Sequence, residues 1–154
     1  MLKPLSGVTQ ITLEASKLKM LEGYRRAYQW LRLWDLADDA GIAELRGRFE
    51  DPVDYMWIHA ALASLIRTML ARLGDAARPD LRDASATLVE TTESPTAGAL
   101  DQRLVAEFAF LIARQLVEQH YPERDVRLRF YESSARRGYE IAEPGHPGRK
   151  GVVD

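Results

Sequence analysis

From Leu13 to Ala37, apolar residues return every three or four positions: Met20, Tyr24, Ala27, Leu31 and Trp34 form a seam, widened by Leu21 and Tyr28. That spacing predicts a long helix with one core face. Leu18, Leu33 and Leu36 cluster about 140–200° away, beside Arg25, Gln29 and Arg32, and give the helix a second, mixed apolar and basic face. A short helix expected near Asp39 to Phe49 carries Ile42, Leu45 and Phe49 on one side. Either it folds over that second face or a partner does.

Asp51-Pro52-Val53-Asp54 marks the next helix start: Asp51 is placed to cap, Pro52 suits the first turn and Asp54 complements the dipole. Gly74 closes it. Tyr55, Trp57, Ile58, Leu62, Leu65, Ile66 and Met69 put apolar groups on nearly every side, so other helices should surround this one. A third long helix is predicted from Pro95 or Thr96 to Tyr121. Its broad face of Leu100, Leu104, Val105, Phe108, Leu111, Ile112 and Leu116 is opposed by Ala106, Phe110, Ala113 and Val117, and we expect it too to lie sandwiched. Arg103, Glu107, Arg114 and Glu118 share its charged sector, with two i,i+4 pairs.

The last third changes period. Val126-Arg127-Leu128-Arg129-Phe130-Tyr131 alternates apolar and polar, and Tyr139-Glu140-Ile141-Ala142 repeats the alternation after Ser-Ser-Ala-Arg-Arg-Gly. The pattern predicts a β-hairpin. A lone hairpin is marginal in water, so Ala86 to Thr91 and Val8 to Ile11 become candidate strands to extend it. The expected fold is mainly α, in the α+β sense: a bundle of three long helices and one short helix with a C-terminal β-hairpin, extendable to a small three-stranded antiparallel sheet. One domain would occupy residues 1–143 and a flexible tail residues 144–154, where prolines and glycines gather.

Composition narrows the chemistry. The 154 residues are 46% apolar and 29% charged, which suits one domain with a real core. The absence of cysteine removes thiolate catalysis, cysteine-based zinc sites and disulfides. A formal charge of −2 argues against a globally basic nucleic-acid binder while leaving room for a local patch. Met1 to Gly7 lacks the apolar stretch of a secretory signal, and no run supplies the roughly 18 uncharged apolar residues of a membrane span. We expect a cytoplasmic protein with no membrane partner.

No Gly-rich phosphate loop occurs. His59, His120 and His146 form no H-x-x-x-H pair, so neither a metal nor a cofactor is expected. Asp35, Asp38 and Asp39 read as helix caps, His59 as a core or interface histidine, and Glu107 as part of an ion-pair stripe. The run Arg114-Gln-Leu-Val-Glu-Gln-His120-Tyr121 resembles the R-x4–6-H motif of the HEPN family, small helical proteins that include metal-independent ribonucleases. The resemblance implies proton transfer at a 2′-hydroxyl by His120, phosphate charge met by Arg114, and one site formed by two protomers. Six residues turn a helix by about 600°, so both side chains face one phosphate only if the helix ends or bends near Gln119.

On the expected hairpin, Arg127, Arg129 and Tyr131 share the outward face, with Arg136 and Arg137 in the connection. Such a set holds a phosphate backbone and stacks a base, or simply discourages edge pairing. Nothing in the sequence assembles a nucleophile, base and oxyanion donor. The expected function is therefore non-catalytic: a protein–protein interaction module or small subunit of a larger assembly. Leu18, Arg25, Arg32, Leu33 and Leu36 would bind the partner, self-association being the simplest case; the alternatives are a HEPN-like metal-independent ribonuclease using Arg114 and His120, or nucleic-acid binding on the hairpin.

Overall fold

The computed structural model describes residues 6–93 and 100–142, with side chains from 16 to 93 and 100 to 136. The expected tail 144–154, with His146, and the side chain of Arg137 lie outside the described residues. Among those described are six α-helices: α1 (Ser6–Asp35), α2 (Asp39–Gly47), α3 (Val53–Leu73), α4 (Pro79–Glu93), α5 (Gln102–His120) and α6 (Arg124–Ala142). The third occupies the middle, packed on α1 along one side and on α5 along the other, while α6 lies along α1, α4 along α5, and α2 against α1.

Close approach at the centre follows from small residues. A Cβ at Gly23 of α1 would sit 2.7 Å from the carbonyl oxygen of Trp57, so the α1–α3 crossing requires glycine there. Ala106, Ala109 and Ala113 of α5 are buried, as is Ala61 of α3, which lets these two helices approach closely. Leu31, Ile58, Leu62, Met69, Leu116, Val117 and Tyr131 are the largest fully buried side chains.

Helix ends follow local chemistry. Asp38 caps α2, its Oδ1 accepting from the Gly41 amide at 2.9 Å. Asp101 caps α5 by accepting from the amides of Arg103 and Leu104. Gly74, at φ 54°, closes α3 as expected. Pro52, not Asp51, is the cap position of α3, and it makes no side-chain cap bond. Asp54 reaches back instead: its Oδ2 accepts from the Glu50 amide at 2.7 Å, and its Oδ1 lies 3.0 Å from Arg26. This carboxylate is buried, so the guanidinium is what makes its charge tolerable there.

The expected C-terminal β-hairpin and sheet are not present: the described residues contain no strand, and the fold is all helical. Residues 126–131 and 139–142 both belong to α6, and the supposed connection is its middle. The alternation misled because an arginine faces inward. Read at 3.6 residues per turn, Arg127, Tyr131, Ser134 and Ala135 fall on the side of α6 turned to α1, and the pattern is helical once Arg127 counts as inward-facing. Ala86 to Thr91 likewise belongs to α4, whose buried Leu81, Ser85 and Leu88 recur at helical spacing. Its β-branched residues are accommodated by hydroxyl bonds one turn back, Thr87 to the Asp83 carbonyl at 3.1 Å and Thr91 to the Thr87 carbonyl at 2.8 Å. Val8 to Ile11 is part of α1.

Candidate docking surface

The second face of α1 is covered largely by its own chain. Ala37 adopts φ 54°, α1 ends, and α2 folds back so closely that a Cβ at Gly41 would sit 3.0 Å from Leu33 Cδ2. Leu33 and Leu36 are half-buried, and Ile42, Leu45 and Phe49 pack toward the core. Arg32 pairs with Glu132 of α6 at 3.1 Å. Leu18, one helical repeat and more away, remains 60% exposed and does not join Leu33 and Leu36 in a common surface. Arg25 is exposed beside Gln29, where a shallow trough of about 430 Å³ runs to Ala135 and Arg136 of α6.

The arginines of α6 divide between inside and outside. Arg127 grips Asp35 with Nε at 3.0 Å and Nη2 at 3.1 Å, and its Nη1 donates to the carbonyls of Tyr121 and Pro122. Both side chains of that pair are largely shielded from solvent. Tyr131 is 1% exposed, its hydroxyl has no hydrogen-bond partner, and burial, reinforced by the Asp35 carboxylate, raises its phenol far above the usual range. Tyr28 beside it is pushed up to about 12, first by burial and then by Tyr24. Arg129 and Arg136 are exposed. Arg129 and Tyr131 point about 200° apart around α6, so the surface expected to pair them does not form.

Helix α5 continues unbroken to His120, leaving Arg114 and His120 about 120° apart. Arg114 Nη1 binds both carboxylate oxygens of Glu118 at 3.1 Å, and its guanidinium lies 5.0 Å from the Trp34 ring. The His120 ring packs edge-on against Tyr121 at 4.4 Å. Glu107 accepts from Arg46 of α2 and from Arg103 at 3.4 Å. The three aspartates separate: Asp35 binds Arg127, while Asp38 caps α2. Among the described residues no three histidine, aspartate or glutamate side chains gather as a ligand set, and no helix is long and apolar enough to cross a membrane.

His59 borders a groove of about 370 Å³ between α3 and α4, with Ala63, Ile66, Leu70, Leu88 and Val89 among its apolar walls. Burial first, then the nearby Arg67 charge, lowers the His59 pKa from its ordinary 6.5. The imidazole is therefore neutral at physiological pH.

The surface that sequence reasoning missed is on α5. Leu104, Phe108 and Leu111 are 61%, 43% and 45% exposed, and they line one side of the helix at i, i+4, i+7. The opposite side carries Val105, Ala109, Phe110, Ile112, Ala113 and Leu116 into the core. Helix α5 is thus half covered, not sandwiched. The alanines were the readable signal: Ala106, Ala109 and Ala113 mark the side where another backbone comes near, which turns the bulkier Leu104, Phe108 and Leu111 outward. The stripe is flanked by α2, through the Arg46–Glu107 pair, and by the turn before α4, where Gln119 accepts from the Arg78 amide at 3.1 Å.

No protein-family model matches the chain, and neither a curated protein nor a solved structure matches it.

Proposed function

We propose that this protein is a non-catalytic protein–protein interaction module, a small subunit of a larger assembly, that docks through the outer side of α5. The observation that carries the reading is the run of Leu104, Phe108 and Leu111 left open to solvent in register on one face of a single helix, whereas the other exposed large apolar side chains, Leu18, Met20, Trp34, Val53, Met56 and Val89, are spread over α1, α3 and α4. Three large apolar side chains in register cost free energy in water and recover it only when something covers them. The neighbouring charges support recognition over chemistry. Arg103, Glu107, Arg114 and Glu118 are already paired along the helix, so no carboxylate or guanidinium there stands ready for proton or phosphoryl transfer.

The test places a photoreactive phenylalanine analogue at position 108 in the full chain, expressed in its native cells, with the same analogue at Leu18 as comparison. Crosslinking at 108 and little at 18 is the expected result. Absence of any product from 108, or equal labelling at both positions, overturns the reading.

A further inference from the structure

Resting on α5 as the docking face, we infer that its occupant is a second copy of this chain, laid antiparallel across a two-fold axis at the level of residues 110 and 111. The charged row beside the apolar stripe is self-complementary. At 100° per residue, Arg103, Arg114, Glu107 and Glu118 occupy one sector about 60° wide, and Leu104, Phe108, Leu111 and Gln115 occupy the adjoining sector. When two identical helices pair antiparallel, the same flank of each meets the other with its direction reversed, because a two-fold interface is isologous. Reversed about residues 110 and 111, the row opposes itself with opposite signs: Arg103 faces Glu118 of the second copy, and Glu107 faces Arg114. Every charge on the flank then lies opposite its complement, with Arg103 and Glu118 more exposed than the inner Glu107 and Arg114.

The apolar side chains centre one residue away from that axis, so their facing pairs are displaced by two residues, about 3 Å, which long side chains span. Phe108 comes beside Leu111 of the second copy on either side of the axis, and Leu104 reaches Gln115 at the ends. A parallel pair would instead turn the charged row toward the flank of Phe108, Ile112 and Gln119, where α5 itself carries no charge. The outer pair is the one that reads the register. Arg103 is 56% exposed and held to Glu107 only at 3.4 Å, so it can reach across to Glu118, which is 36% exposed while it accepts from Arg114. The inner charges are already oriented, Glu107 by Arg46 and Arg114 by Trp34.

One helix pair buries less than a standard interface of roughly 1,200 Å², so the dimer is weak and reversible, and two-fold closure stops it at two copies. The experiment is light scattering and sedimentation of the full chain from about 1 µM to about 1 mM. The expected result is a mass that climbs toward twice the monomer and no further, and that stays monomeric in Phe108→Glu. Arg103→Glu and Glu118→Arg should each weaken pairing by about tenfold, through like charges set face to face. Mixing these two variants, or combining both changes in one chain, should restore it. That rescue reads the contact between copies alone, because within one helix each change still faces a like charge, Glu107 or Arg114. A folded wild-type chain that remains monomeric at about 1 mM, or failure of both rescues, overturns the pairing. If position 108 meanwhile crosslinks to a different protein, the docking reading stands and only the identity of its occupant falls; if it crosslinks to nothing, both fall.

Discussion

The outer faces of α1 and α5 begin with similar patterns and end differently. Each helix carries leucines beyond the side needed for the core, each mixes them with arginine and glutamate or glutamine, and either could have been left open. On α1 the chain itself returns: Ala37 at φ 54° and the Asp38 cap send α2 back onto Leu33. On α5 it does not. After Tyr121 the chain crosses to α1, where Arg127 fastens α6 to Asp35, and Leu104, Phe108 and Leu111 keep their exposure. Whether an apolar face becomes core or stays open to solvent is thus set by where the following helix is anchored, and those anchors are a few polar groups.

The strongest way to break the contrast is to release α6. Arg127→Ala leaves the Asp35 carboxylate shielded and unpaired, and should cost about 3–5 kcal/mol in denaturant unfolding. Replacing both residues with leucine should recover most of that. A loss below about 1 kcal/mol for the single change would show that the pair does not anchor α6. Loosening the cover of α1 is milder: Asp38→Ala removes the α2 cap and should cost about 1 kcal/mol, with increased binding of an apolar dye as Leu33 is uncovered.

Acid should act on the half-covered groove between α3 and α4. The folded His59 pKa lies below its ordinary 6.5, so the unfolded chain takes up the proton first as pH falls. Stability from this group is intact above that range and is lost progressively as pH drops below it. Tm measured from about pH 7.5 to about pH 5 should therefore fall, and His59→Gln should flatten part of the decline. An unchanged slope in the variant would assign the acid sensitivity elsewhere. The smallest effect on stability belongs to α5: Phe108→Glu should change unfolding free energy by less than about 1 kcal/mol, because the side chain is 43% exposed and outside the core. A loss of 2 kcal/mol or more, on the order of a core truncation, would mean that the stripe serves the fold and not a partner.

Much of the helical layout was legible. Helix α3 runs from Val53 to Leu73 almost as Pro52 and Gly74 delimit it, and α2 begins after Asp38 as its carboxylates suggest. The expected cover of Leu33 by that short helix is what the structure shows. The C-terminal third was misread because the inward-facing guanidinium of Arg127 imitates a polar, outward position, and a two-residue alternation follows. The candidate site was misplaced for a related reason. Leu104 and Phe110 lie about 120° apart around α5, both apolar, and the sequence states no preference between them. Only the small residues Ala106, Ala109 and Ala113 point to the inner side, and they do so through packing distance, which hydrophobicity does not record.

Composition, periodicity and capping residues by themselves determined a largely helical chain with α3 at its centre, because burial of apolar side chains at 3.6-residue spacing and the pairing of helix-end amides are local requirements. Tertiary structure alone decided which arginine goes inside and which leucines stay out. Those choices depend on partners distant in sequence, Asp35 for Arg127 and α3 for the alanines of α5, and a partner brought from far along the chain can reverse the side that a residue's own polarity favours.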